Sequence, residues 1–177
     1  MHYHGSDIRH PGRAESKKRI FCRSLADTIL YNAENMLDRI ITNKDVEKKF
    51  IPNLIDTKHF SSKQVKNGRS LIITSSNHDK KKVLEKSKEF DDVDVIDLDR
   101  NQIPYRHMPN ILSKYETYLD IRIMPWGEEL SEPSTTALQA LSCGCKVYLK
   151  GNVINSLPNE NKPENYLKKL NQIYESI

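Results

Sequence analysis

The chain has 177 residues, 37% of them hydrophobic and 29% charged, with a formal net charge of +4. That length suits one ordinary core of ~100–200 residues rather than two domains around a deep cleft, and the clustering of its apolar residues excludes disorder throughout. No run approaches the ~18 apolar residues of a membrane span, and the opening MHYHGSDIRHPGR lacks the apolar stretch of a secretory signal, so a cytoplasmic protein is expected.

Residues 1–19 are rich in His, Arg and Lys without a period and read as loop or tail. His2, His4, Asp7 and His10 crowd together there, but they lack the paired spacing of a structural zinc site, and no metal is expected. ADTILYN (26–32) reads as a short buried strand, and ENMLDRII (34–41) places Met36, Leu37, Ile40 and Ile41 at helical spacing. In KFIPNLIDTKHF (49–60) a strand end runs into a turn, because Pro52 forbids helix and Asn53 favours turn geometry. The polar SSKQVKNGRS (61–70) is the best boundary in the chain, dividing it into 1–60 and 61–177.

Beyond it strand and helix alternate. LIITSS (71–76), VDVIDLD (93–99), YLDIRIM (118–124) and CKVYL (145–149) read as strands. The intervening helices are NHDKKKVLEKSKEF (77–90), capped by Asn77 or Asp79, MPNILSKYE (108–116), with Pro109 in its first turn, and PSTTALQALSCG (133–144), stopped by Gly144. An amphipathic helix over 163–177 closes the chain through Tyr166, Leu167, Leu170, Ile173 and Tyr174. This alternation predicts an α/β fold, a Rossmann-like parallel sheet with helices on both faces, and such sheets bind ligands at the carboxyl ends of their strands. Neither GxGxxG nor GxxxxGK[ST] occurs, which argues against a dinucleotide domain or a P-loop nucleotidase. The three cysteines include Cys143 and Cys145, which flank a helix stop and read as buried thiols rather than a disulfide framework.

Chemistry concentrates at the expected strand ends. The loop Trp126-Gly-Glu128-Glu129-Leu-Ser-Glu132-Pro133 leads into a helix whose first turn carries Ser134, Thr135 and Thr136. Free backbone amides and the positive end of a helix dipole make that a natural place for a diphosphate, although the same residues also suit ordinary capping. Glu132 and Gln139 are seven apart, two turns, and share a helix face. After LIITSS, the run Lys80, Lys81, Lys82 offers cations to a leaving phosphate or simply a solvated face. Basic residues do not alternate with aromatics, so nucleic acid is not the expected partner.

The ordered series HYHGSDIR, ADTILYNAENML, FIPNLIDTKHF, LIITSS, MPNILSKYETYLDIRI and EPSTTALQALSCGCKVYL resembles the retaining GT-B nucleotide-sugar glycosyltransferases, the group that includes glycogen synthase and bacterial and archaeal mannosyltransferases. The strongest pieces are the PNxxD turn and the EP-to-CG helix. The resemblance implies a single GT-B half: 61–177 as the donor-binding domain and 1–60 as a remnant of the acceptor domain with the linker. It further implies hexose transfer from a nucleoside diphosphate sugar with retention, the nucleotide sugar being the donor substrate and no cofactor being needed. By the family's motif Glu132 contacts the sugar, Gln139 stands where an acid contacts the ribose, and Lys80 or Lys81 faces the diphosphate. Ser134, Thr135, Thr136, Glu128 and Glu129 complete the expected donor site. The alternative is a catalytically incomplete nucleotide-sugar-binding module that needs a partner chain to supply the acceptor wall.

Overall fold

The computed structural model describes residues 2–3, 26, 28–32, 40–42, 45–61 and 64–176, whose buried apolar side chains form three clusters. By contacts the chain divides into two compact units, Met1–Leu54 with Asn159–Ile177, and Ile55–Pro158.

In the first unit three short strands, β1 (His2–Tyr3), β2 (Thr28–Tyr31) and β3 (Glu47–Phe50), pair in parallel in that order. Ile29, Tyr31, Ile40 and Val46 form its core, with the Phe50 ring edge-on to Tyr31 at 5.7 Å. The helix expected over 34–41 falls outside the described residues except for Ile40 and Ile41, which have no regular structure. The closing helix of the chain, Pro163–Glu175, groups with this unit. Lys169 lies over the Phe50 ring at 4.8 Å, Lys49 donates to Ser176 Oγ, and Asn161 donates to the Asn53 carbonyl at 2.9 Å. Ile173 is buried in it, whereas Leu167 and Tyr174 are exposed.

The second unit carries a five-stranded sheet ordered β5-β4-β6-β7-β8, formed by β4 (Ser70–Thr74), β5 (Val93–Asp97), β6 (Thr117–Leu119), β7 (Lys146–Leu149) and β8 (Asn152–Ile154). All pairings are parallel except β7 with β8. The interspersed helices are α1 (Lys80–Ser87), α2 (Met108–Leu112), entered through a 3-10 turn at Tyr105–His107, and α3 (Thr135–Ser142). The closing helix is α4. Alternate side chains of β4 enter opposite cores, as expected of a strand covered on both faces. Leu71 and Ile73 pack with Leu112 of α2 and Ala137, Leu138, Ala140 and Leu141 of α3, while Ile72 packs with Val83 of α1. This is the α/β, Rossmann-like architecture expected, with helices on both faces of a mostly parallel sheet.

Local chemistry sets the element ends. Asp79 caps α1 by accepting from the Lys82 amide, and Ser134 caps α3 by accepting from the Ala137 amide at 2.9 Å. At the other end of α3, Gly144 takes φ 77°, and its amide and that of Cys145 bond back to Leu141 and Ala140, a Schellman closure. Cys143 and Cys145 are buried at this stop, and Cys145 donates to the Leu112 carbonyl at 3.0 Å.

Three expectations are adjusted. Ile55 and Phe60 already belong to the second core, so the chain enters that unit before the polar stretch at 61–70. The strand expected over 118–124 pairs with its neighbours only at Thr117–Leu119. Past Asp120 it folds against its own continuation, Met124 donating to Glu128 and Leu130 to Arg122, with Gly127 at φ 91° in the turn. Finally, β8 has no expected counterpart: Lys150 and Gly151 both take positive φ and close a two-residue hairpin.

Candidate functional site at the carboxyl ends of β4 and β6

From β4 the chain passes first to β5 on one side and then to β6 on the other, so the strand order reverses between β4 and β6. In open parallel sheets the crevice outside the carboxyl ends at such a point is where ligands bind. Two loops meet there, 75–79 after β4 and 120–134 after β6. The Asp79 amide donates to the Ile123 carbonyl at 2.6 Å, joining them.

A charged pair lies beneath the crevice. Asp120 and Arg122 are both buried, and Arg122 Nε approaches Asp120 Oδ1 at 2.9 Å, a charge contact outside hydrogen-bond alignment. The other carboxylate oxygen accepts from the Ser134 amide at 2.8 Å, and the Arg122 guanidinium donates to the Glu132 carbonyl. Buried charges are tolerated only when their remaining hydrogen-bonding capacity is used, and here it is used to hold the loop end. The pair therefore positions Glu132 and the first turn of α3.

Around it are polar groups without partners among the described residues. Thr74 Oγ1, at the end of β4, and His78 Nδ1 are buried and make no hydrogen bond. Burial, then the Arg122 charge, push the His78 imidazole below its ordinary 6.5, with Asp120 opposing. His78 is thus neutral at neutral pH. Gln139 is only 8% exposed, and its side-chain amide bonds to no described residue.

The expected site residues divide into two sets. Ser134, Thr135, Thr136 and Gln139 lie at or within α3, whose first-turn amides at Thr135 and Thr136 have no intrahelical acceptor, while half-buried Glu132 lies in the loop two residues before the cap and not on a helix face with Gln139. Lys80, expected as a free cation, is instead held by Asp97 at 2.8 Å and Asp99 at 2.6 Å, whose bonds raise its pKa. Its charge is spent on β5 because α1 starts beside that strand's carboxyl end. Lys81 is exposed and has no ion pair among the described residues. Glu129 is gripped by Lys86 at 2.6 Å, and Glu128 accepts from the Trp126 indole at 2.8 Å, so both hold the 124–130 turn. Lys82 covers that turn closely: a Cβ added at Gly127 would lie 3.8 Å from its Nζ.

Sequence reasoning missed Asp120, Arg122 and Thr74. The available signal was YLDIRIM itself, where two charges interrupt an apolar strand at a spacing that puts both on one face. No group of three or more His, Cys, Asp or Glu suited to a metal occurs among the described residues, and no helix among them is long and apolar enough to cross a membrane. The class defined by the fold is a Rossmann-like α/β domain, with Thr74, His78, Asp120 and Arg122 gathered at the carboxyl ends of β4 and β6. No protein-family model matches the chain, and neither does any curated protein.

Proposed function

We propose that the chain is the donor-binding half of a retaining glycosyltransferase of GT-B type, taking a hexose from a nucleoside diphosphate sugar. The observation that carries this reading is the capped start of α3, fixed by the buried Asp120–Arg122 pair, with Gln139 five residues beyond the cap on the helix. A diphosphate fits the free amides of Thr135 and Thr136, where the helix dipole favours negative charge. Gln139 then meets the ribose, while Glu132 accepts from sugar hydroxyls. As the glycosidic bond breaks, the charge growing on the leaving diphosphate is stabilised by these amides and by Lys81, the cation of the run left unpaired. The leaving phosphate takes the proton of the acceptor hydroxyl on the same face, so the configuration at the sugar carbon is retained.

Calorimetric titration of the full chain with nucleoside diphosphates and their hexose derivatives tests the reading. Saturable binding is expected, weakened by Glu132→Gln and Gln139→Leu and tightened by Gln139→Glu, because carboxylate hydrogen bonds are roughly twice as strong. No binding of any of them would sink the proposal.

A second reading, donor binding without turnover, is favoured by Gln139 in place of an acid and by the capture of Lys80 by two aspartates. Nucleotide release measured with candidate acceptors, alone and with a chain supplying an acceptor wall, separates the two.

A further inference from the structure

A second polar cavity lies along α2, assembled from residues that the donor-site reading does not use. It encloses about 310 Å³ and is lined by Lys58, His59, Ser61, Gln64, Arg106, Pro109, Asn110 and Ser113. That is at the small end of the ~300–1,000 Å³ of small-molecule sites. Its lining contains two permanent cations, an imidazole, two amides and two hydroxyls, and no carboxylate. The Lys58 ammonium and the terminal guanidinium nitrogens of Arg106 have no acidic partner among the described residues; the Arg106 Nε bonds only to His107, at 3.2 Å. Two like charges facing one cavity without a counterion repel each other, and an anion between them removes that repulsion.

The wall is held in place before any ligand arrives. The Asp56 carboxylate accepts from the backbone amides of both Lys58 and His59 at 3.0 Å, which fixes the turn that presents them. The His59 ring stacks on Tyr105 at 5.2 Å and 18°, and the buried Phe60 meets both rings edge-on, at 4.9 and 5.3 Å. Clamped in this way, His59 gives the cavity a fixed wall, with its Nε2 enclosed within the protein. Two cations without acidic partners beside that wall make the arrangement of an oxyanion receptor, in which guanidinium bonds two oxygens at once and ammonium supplies a point charge.

We propose that this cavity binds a phosphate group, either as free orthophosphate or as the phosphate of a small phosphomonoester. Lys58 and Arg106 neutralise it, the amides of Gln64 and Asn110 supply neutral donors, and the His59 ring packs along the wall and reports on the cavity. The site is independent of the crevice at β4 and β6, whose residues it does not share.

The test titrates the full chain at constant ionic strength with inorganic phosphate and, separately, with a hexose phosphate. The His59 ring resonances are followed by nuclear magnetic resonance and assigned by their loss in His59→Gln. A saturable shift is expected, with its midpoint raised about tenfold or more in Lys58→Ala and in Arg106→Ala, the size of one lost charge-assisted hydrogen bond. Both side chains are exposed, so both variants keep the wild-type circular dichroism. Gln139→Leu, in the other site, leaves the His59 midpoint unchanged. A lower midpoint for the hexose phosphate identifies a phosphomonoester as the ligand, and equal midpoints identify the phosphate alone. Absence of a saturable His59 shift, or midpoints unmoved in both cation variants, overturns the proposal, whatever the outcome of nucleotide titration.

Discussion

His78 keeps its Nδ1 away from water without a hydrogen-bond partner among the described residues, Gln139 lies buried in α3, and each leaves a measurable trace. Because His78 is held below 6.5 in the folded chain, the unfolded chain takes up the proton first. Its contribution to stability is present above about 6.5 and is lost as pH falls through the depressed folded value. Urea midpoints measured from pH 7.5 down to 5 should therefore fall less steeply in His78→Gln than in the parent chain. Gln139→Leu should weaken nucleotide binding while changing stability by no more than about 1 kcal/mol, because the side chain makes no hydrogen bond to a described residue. A residue serving only the fold would show loss of stability with binding unchanged. At the helix stop, burial pushes the Cys143 thiol up to about 12, and burial likewise raises Cys145. Neither should react with a disulfide reagent at pH 8 until denaturant is added, since the thiolate is the reactive form.

At the scale of elements, the 120–134 segment depends on one ion pair. Asp120→Ala strands the buried Arg122 charge and frees the Ser134 amide, and a loss of about 3–5 kcal/mol is expected in urea denaturation. Replacing both partners, Asp120→Leu with Arg122→Met, should cost less, because no charge is left unpaired. That double variant should still lose nucleotide binding, since nothing then holds Glu132 and the first turn of α3 in place. The exposed pair Lys146–Glu116, at 3.1 Å, offers a contrast: removing it should change stability by no more than about 1 kcal/mol. The two pairs differ in burial, which a list of charges in sequence does not display.

At the scale of the whole molecule, the second unit has its own sheet and both of its cores between Ile55 and Pro158. A chain of residues 55–158 should unfold cooperatively by circular dichroism, and a gradual, non-cooperative melt would show that this unit is incomplete alone. Much of the architecture was legible beforehand, because β-branched runs such as LIIT and the Ser134 and Gly144 helix ends are local signals that depend on backbone geometry alone. The shared helix face expected of Glu132 and Gln139 does not form, because the helix starts at Thr135 and Glu132 lies in the loop two residues before the Ser134 cap. The fate of Lys80 was not legible: whether a lysine is free or bound depends on which strand lies beside it, and β5 brings Asp97 and Asp99 within reach from 17 and 19 residues away. The hairpin at Lys150–Gly151 escaped notice because lysine rarely takes positive φ. By itself the sequence determined the alternation of strand and helix and the capped start of α3, both products of short-range patterning. Only the tertiary structure decided that Asp120 and Arg122 are buried together, that Gln139 is buried, and that Lys58, His59 and Arg106 face one cavity, because burial and long-range charge pairing arise when distant segments meet.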